Sequence, residues 1–166
     1  NDMKRNSTGG KDGWDPEKYL NIWVCNLAVS PSGGMTLGYA YLPGSLWSNQ
    51  MWRDGLVVDF QYFGTVGASA SSNDGSTTTH EIGHYLGLLH TFCEETDNNG
   101  NPTCCDNDDV WWGGNIDDTP ASEGIYWGSV NSTTNNNTCN DLSYSNVFNT
   151  NVLDMDENFM SYSSDV

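Results

Sequence analysis

The stretch THEIGHYLGLLHTF, residues 79–92, contains all three histidines of the 166-residue chain. His80 and His84 are four residues apart, so on an α-helix their imidazoles lie one turn apart on one face and can reach a single metal ion. Glu81 follows the first histidine, where its carboxylate can hold a water molecule and accept its proton. The pattern H-E-x-x-H therefore predicts a zinc-binding helix with Glu81 as general base and acid.

The third histidine, His90, reaches the same ion only if the chain turns before it. In a continuous helix, the ten residues from His80 to His90 would separate these side chains by about 15 Å along the axis. Gly87 can adopt the left-handed conformation that ends helices, so we predict that the helix stops there and that His90 completes the zinc site. The alternative is a core helix that merely contains histidines, but such a helix gains nothing from two glycines at about 1 kcal/mol each.

The composition limits the class of protein. With 5 Lys+Arg against 22 Asp+Glu, the net charge of −17 excludes nucleic-acid binding by phosphate neutralisation and favours cations and basic peptides. We expect no membrane span and no signal peptide in the chain, because no apolar run reaches about 18 residues and no basic region precedes one. Five cysteines and three Asn-x-Ser/Thr sequons favour a secreted, extracellular protein. The aromatic fraction of 12% predicts a largely aromatic core, and the sequence leaves the oligomeric state open.

The chain changes character after the histidine cluster. Three segments before it, residues 19–29, 35–44 and 55–64, are rich in β-branched and aromatic residues bounded by Gly and Pro, and we predict a strand in each. Ser and Thr residues just before His80 are predicted to cap the helix. Residues 93–151 are rich in Asn, Asp, Ser and Thr and show little periodicity, so we predict long loops held by disulfides and bound metal.

Two motifs in the expected order resemble a known group of enzymes. The segment HEIGHYLGLLH, residues 80–90, resembles the long zinc-binding consensus of the metzincin metallopeptidases. The segment NFMSYSSD, residues 158–165, resembles their methionine-containing turn. Thr91 after the third histidine argues against the astacin, adamalysin and matrixin branches, and the wider pattern is similar to the pappalysin family through the segments YLNIWVCNL, LGYAYLPG, HTF and DDTP.

The resemblance implies an α+β fold in one metallopeptidase catalytic domain that spans residues 1–166. A twisted mixed sheet and the active-site helix would form an upper subdomain of about residues 1–90, above a loop-rich lower subdomain of about residues 91–166. The family pattern leads us to expect a further cysteine and a closing helix beyond the methionine turn, so the domain is expected to be incomplete at Val166.

The resemblance also implies an activity. The chain would be a zinc-dependent endopeptidase that hydrolyses internal bonds of protein or peptide substrates by a metal-activated water, with His80, His84 and His90 as zinc ligands and Glu81 as general base. Met160 would form the floor of the site, and the Tyr162 hydroxyl would donate a hydrogen bond to the developing oxyanion. A non-catalytic, metal-stabilised extracellular binding or structural module remains the alternative.

Family members can bind calcium in the loop after the third histidine, and here Asp109, Asp117 and Thr119 offer suitable oxygen ligands. A solvated acidic loop is the alternative reading.

The cysteine pattern departs from that of the family. We expect Cys139 to pair with Cys104 or Cys105, and Cys93 to pair within the loop or with sequence beyond the chain. Cys25, inside a predicted strand, is expected to be a buried thiol.

Overall fold

The structure is a computed structural model of the chain, and it divides into two compact units, Asn1–Gly87 and Leu88–Val166. We call them the N-terminal unit and the C-terminal unit. The division falls three residues before the predicted boundary between upper and lower subdomains, whereas a single catalytic domain stays a prediction. The residues that the structure describes are 2–27, 33–66, 75–105, 118–130, 136–145 and 147–163.

The N-terminal unit contains a three-stranded mixed sheet in the order β1-β3-β2. Strand β1 (Ile22–Cys25) runs parallel to β3 (Leu56–Asp59), and β2 (Gly38–Tyr39) runs antiparallel to it. Every residue of the central strand β3 is buried. The predicted mixed sheet is therefore confirmed, with its most apolar strand in the middle.

The three strands lie where the sequence predicted them but are shorter. Side chains replace the backbone ladder at the end of β3: Asp59 Oδ1 accepts a hydrogen bond from the Gln61 amide at 2.9 Å, which starts a turn of 3₁₀ helix. Asp59 Oδ2 also accepts from the Leu27 amide at 2.7 Å, beyond the end of β1. A carboxylate that satisfies these amides ends the strands earlier than the apolar pattern does.

Helix α1 (Ser76–Tyr85) carries the H-E-x-x-H motif and ends at the predicted glycine. The Gly87 amide donates to the His84 carbonyl at 2.9 Å, and Gly87 has φ 101°, which confirms the left-handed stop. The predicted Ser/Thr N-cap is wrong. The N-cap is Gly75 at φ 90°, with no side-chain cap, and the Ser and Thr residues lie inside the helix because the glycine alone tolerates the entry conformation.

The core is aliphatic at its centre, so the expectation of a largely aromatic core is wrong. Leu56, Val57 and Val58 have no exposed surface, whereas among the aromatic residues of the described segments only Trp23 and Phe92 are buried. Branched aliphatic side chains fill the central strand of the small sheet, and most of the large rings in the described segments are partly or largely exposed. Lys4 is buried as well: it is 1% exposed, with Nζ 4.5 Å from the ring centroid of Trp23.

Cys25, the last residue of β1, forms no disulfide. It is only partly buried, so the expectation of a buried thiol is wrong. Strand β1 lies at the edge of the sheet, where its side chains keep contact with solvent. The partial burial raises the pKa of the Cys25 thiol, and the neighbouring Asp59 carboxylate adds to the shift.

The C-terminal unit is mostly irregular, as predicted. Its regular elements in the described segments are the antiparallel pair β4 (Cys104–Cys105) and β5 (Ser122–Glu123) and the short helix α2 (Asp141–Tyr144). Disulfides join Cys104 to Cys139 and Cys93 to Cys105, which confirms both expected pairings.

Candidate active site

Helix α1 presents two histidines and a glutamate from consecutive turns. His80 is 8% exposed and His84 is half-buried, and their ring centroids are 4.6 Å apart with the planes nearly perpendicular, at 89°. The four-residue spacing places both rings on one face, as the helical repeat requires. Glu81, between them in sequence, is 6% exposed.

The turn at Gly87 allows the third histidine to join the first two. One ring nitrogen from each of His80, His84 and His90 lies within 4.8 Å of the others. In the segments that the structure describes, no other group of three or more His, Cys, Asp or Glu residues converges in this way. The local sequence therefore brings together the three side chains that the spacing predicted.

Glu81 has a free oxygen inside the protein. Its Oε2 atom is buried and has no hydrogen-bond partner in the described part of the chain. Burial raises the pKa of Glu81 to about 7. A carboxyl group with such a pKa can take up and release a proton near neutral pH, which suits general acid–base chemistry.

Gly38 of β2 makes room for this glutamate, which no local pattern predicted. A Cβ atom at residue 38 would lie 2.9 Å from both Cγ and Oε1 of Glu81, closer than real contacts allow. It would also lie 3.1 Å from the Val57 carbonyl oxygen, which is backbone. The absence of a side chain at Gly38 therefore sets where the Glu81 carboxylate lies.

His90 is oriented by a second residue that sequence reasoning missed. Its Nδ1 atom pairs with Glu94 Oε1. A carboxylate on Nδ1 holds the proton there and leaves Nε2 with the lone pair that a metal needs. The only sequence signal for this partner is an acidic residue four positions after the histidine.

The methionine turn is present and tied to the histidine segment. Met160 is 5% exposed, and its amide donates to Asn158 Oδ1 at 2.8 Å, which closes the turn. Its carbonyl accepts from the Thr91 amide at 3.2 Å. Thr91, which served only to distinguish branches of the family, thus also anchors the turn through its backbone.

Tyr162 lies in a group of aromatic rings beside the third histidine. Its ring centroid is 4.7 Å from that of His90, 5.2 Å from Phe92 and 5.7 Å from Trp127. Phe92 in turn stacks on His90 at 4.7 Å and 11°. We call these four side chains the aromatic cluster. Trp127 was not anticipated from the sequence.

The calcium prediction is left untested. Asp109 and Asp117 lie outside the described residues, and Thr119 is half-buried in the loop that precedes β5. Calcium at these residues stays a prediction.

The histidine site fits a zinc ion. It offers three imidazoles that share one small volume, and the buried Oε2 of Glu81 is an orphaned polar atom next to a ligand. Two histidines and a glutamate on a helix, a third histidine beyond a glycine turn, and a methionine turn are typical of metzincin metallopeptidases.

A family model confirms this class. The model described as pregnancy-associated plasma protein-A, the M43 or pappalysin peptidases, matches residues 4–166. The chain therefore belongs to the pappalysin family of metzincins, whose site implies zinc.

Named relatives agree with the family. The chain is 35% identical over 122 residues to an extracellular metalloprotease of Arthroderma gypseum, and the matched region covers 72% of this chain and 35% of that protein. It is 43% identical over 82 residues to an extracellular metalloprotease of Arthroderma otae, covering 48% of this chain and 27% of that protein. The chain spans about a third of the length of these relatives.

A solved structure shows the same fold. Mature mirolysin of Tannerella forsythia, in complex with a cleaved peptide, superimposes with a TM-score of 0.69 at 30% identity, covering 98% of this chain and 51% of that one. The α+β metzincin-like fold is thus confirmed. None of the helices in the described segments has the length and apolar character that a membrane crossing requires.

Proposed function

We propose that the chain is the catalytic part of a secreted, zinc-dependent endopeptidase. One observation carries the proposal: the three imidazoles of His80, His84 and His90 converge, and Glu81, which follows the first of them on the helix, has a buried carboxylate oxygen without a hydrogen-bond partner in the described part of the chain. A module that used the metal only for stability would gain nothing from a buried carboxylate without a hydrogen-bond partner, because such a group costs free energy. The names of the extracellular relatives support secretion.

The residues of the chain have distinct tasks in this reaction. Zinc, when bound, acts as a Lewis acid toward the peptide carbonyl and the attacking water. Glu81 accepts a proton from that water as its oxygen bonds to the carbonyl carbon. The same carboxyl group then gives the proton to the peptide nitrogen as the carbon–nitrogen bond breaks, so the products are a carboxylate and a free amine. Tyr162 donates its hydroxyl hydrogen to the carbonyl oxygen as negative charge develops there.

The substrate class is a polypeptide. The complex of mirolysin with a cleaved peptide supports this assignment. The net charge of −17 favours substrates or segments without strong negative charge, because long-range repulsion slows the approach of acidic peptides.

The test compares the intact protein with its Glu81→Gln variant on a mixed peptide library, with and without a zinc chelator. We expect Glu81→Gln to keep one zinc per chain while the cleavage rate falls about 10²- to 10⁴-fold, because the amide can bind near the metal but cannot take a proton. Glu123→Gln, at an exposed position of β5, is the matched control and should cleave normally. Near-normal cleavage by the Glu81 variant, or no cleavage by the zinc-loaded wild type, would contradict the proposal.

A further inference from the structure

We propose that Trp127 determines substrate specificity by binding an apolar side chain of the substrate next to the scissile bond, and that it positions Tyr162. The inference rests on the proposed endopeptidase function. It concerns the same site but goes beyond the chemical step, because it names the class of residue that the site selects.

The first observation is the exposure of Trp127, which exceeds that of the other members of the aromatic cluster, Tyr162 being 38% exposed. Phe92 is 3% exposed, whereas Trp127 is 69% exposed. The indole ring is 5.7 Å from the Tyr162 ring at an angle of 38°. Trp127 is therefore the end of the aromatic cluster that presents a large apolar surface to solvent.

The second observation is the position of this surface relative to the proposed oxyanion donor. An extended peptide advances about 3.3 Å per residue. The 5.7 Å joins the two ring centroids, and the Tyr162 hydroxyl with its hydrogen bond adds about 6 Å at most, so the indole lies within about three residues of a carbonyl that Tyr162 contacts. A side chain adjacent to the scissile bond can cover the indole face and exclude water from it.

The third observation is the chemical character of the surroundings. Residues 88–166 contain no lysine or arginine, and many of their side chains are acidic or amide groups. The exposed indole is a large apolar surface in this acidic unit. It favours aliphatic and aromatic substrate residues over polar ones of similar size, because burial of apolar area drives the contact.

The contact with Tyr162 gives Trp127 its second role. The Tyr162 ring also contacts His90 and Phe92, and the indole adds a third aromatic contact that limits the movement of the phenol. A donor that is held in place needs no reorganisation when the oxyanion forms. Loss of the indole should therefore lower kcat as well as weaken substrate binding.

Trp14 provides a matched control. It is 65% exposed and packs edge-on against Tyr19 with centroids 5.0 Å apart, so its exposure and its aromatic contact are similar to those of Trp127. It lies in the N-terminal unit, whereas Trp127 and Tyr162 lie in the C-terminal unit. A change at Trp14 reports what the loss of any exposed tryptophan does to the protein.

The experiment measures kcat and KM of the intact, zinc-loaded protein on peptides that differ at one residue beside the scissile bond. That residue is Leu, Gln or Lys, placed on either side of the bond. The proteins are wild type, Trp127→Ala, Trp127→Phe and Trp14→Ala. Equilibrium binding of the same peptides to Glu81→Gln, with and without Trp127→Ala, gives a second readout that does not depend on turnover.

We expect wild type to favour Leu over Gln by about tenfold or more in kcat/KM on one side of the bond. Trp127→Ala should reduce that preference to about twofold, chiefly through KM, and should also lower kcat severalfold for every peptide. Trp127→Phe should restore most of both losses, and Trp14→Ala should behave as wild type. In the Glu81→Gln background, Trp127→Ala should weaken binding of the Leu peptide and leave binding of the Gln peptide nearly unchanged.

Four outcomes would overturn the inference. If Trp127→Ala keeps the wild-type preference, Trp127 does not select substrate, although cleavage by wild type would leave the proposed function intact. If the preference that is lost is for Lys, the surface binds cations and the apolar assignment is wrong. If the cleavage of all peptides and the zinc content decline together in Trp127→Ala, and Trp127→Phe restores neither, the residue is structural only. Absence of cleavage by the zinc-loaded wild type overturns the proposed function and this inference together.

Discussion

The two compact units differ in what holds them together. The N-terminal unit contains the hydrogen-bonded sheet, with β3 buried along its whole length, and all of the lysine and arginine residues of the chain. The C-terminal unit has two disulfides, one short pair of strands in its described segments and no basic side chain except His90. Backbone pairing and an apolar core stabilise the first, and covalent links stabilise the second.

In the C-terminal unit, buried carboxylates accept hydrogen bonds from backbone amides that would pair with neighbouring strands in a sheet. Asp141 has no exposed surface and accepts hydrogen bonds from the Ala121 and Val152 amides, each at 2.8 Å. Asp154 accepts from the amide and the hydroxyl of Thr138 at 3.1 Å and 2.7 Å. Burial raises the pKa of Asp154, while the Thr138 hydrogen bonds act against the shift. A loop-rich unit can therefore satisfy the hydrogen-bonding groups of its backbone with side chains, provided that covalent links hold the loops.

The largest predicted effect comes from reduction of the disulfides. Cys104–Cys139 closes a loop of 35 residues and Cys93–Cys105 one of 12, and in the chain-entropy model each contributes about 3 kcal/mol. After reduction without denaturant, we expect amide exchange to accelerate throughout the described part of residues 88–166. The amides of β1 and β3 should stay protected.

The control for this prediction is Cys25→Ser, which removes the one cysteine that is outside a disulfide. It should change neither the amide exchange of the C-terminal unit nor the protection of β1 and β3. Equal loss of protection in both units would contradict the prediction, because it would mean that the sheet depends on the disulfides too.

A second prediction concerns metal affinity. Glu94→Gln should weaken zinc binding about 10- to 100-fold, because the amide holds the His90 tautomer less firmly than a carboxylate does. Competition with a chelator of known affinity measures the change. Glu95→Gln, at the exposed neighbouring position, should bind zinc as wild type does. Equal affinity of the two variants would show that Glu94 does not orient the ligand.

A third prediction tests the close packing of the N-terminal unit. Gly38→Ala should lower kcat about tenfold with little change in KM or zinc content, because the added methyl group displaces the Glu81 carboxylate. Gly34→Ala is the matched control, since a Cβ there meets nothing within 4 Å. A Gly38 variant with wild-type kcat would show that Glu81 adjusts without loss.

The smallest predicted effect is a pH dependence of stability caused by Lys4. Burial lowers its pKa to about 8, while the nearby Asp54 carboxylate opposes the shift. Because the ordinary value is 10.5, the folded state binds fewer protons than the unfolded state between these pH values, and the free energy of unfolding should rise with pH over that interval. Below pH 8 the ammonium is charged in both states, so this contribution is constant.

Denaturant unfolding of wild type and Lys4→Met from pH 7 to 10.5 measures this effect. The difference in the free energy of unfolding between the two proteins should change by about 1 kcal/mol or more in favour of wild type as the pH rises. A difference independent of pH would mean that Lys4 keeps its ordinary pKa in the folded protein.

Much of the fold and of the site was predictable because it depends on local spacing. His80 and His84 share a helix face by the helical repeat alone, and Gly87 ends the helix because it adopts φ 101° without strain. The order of the three strands along the chain followed from their apolar character. Their lengths were not predictable, because the Asp59 carboxylate accepts hydrogen bonds from two backbone amides where the strands end. The Gln61 amide lies just beyond β3, and the Leu27 amide is distant in sequence. The helix N-cap was misplaced because several polar residues compete there and only the backbone conformation decides among them.

The sequence by itself determined the chemistry of this protein: which side chains can bind a metal, which one can take a proton, and where the helix that carries them stops. These depend on neighbours within a few turns of helix. Only the tertiary structure decided that Gly38 leaves space for Glu81, that Glu94 meets His90, and that Trp127 borders Tyr162. Two of these contacts join residues more than thirty positions apart, and the third depends on how the loop after His90 folds back, so the path of the whole chain fixes them and no local pattern reveals them.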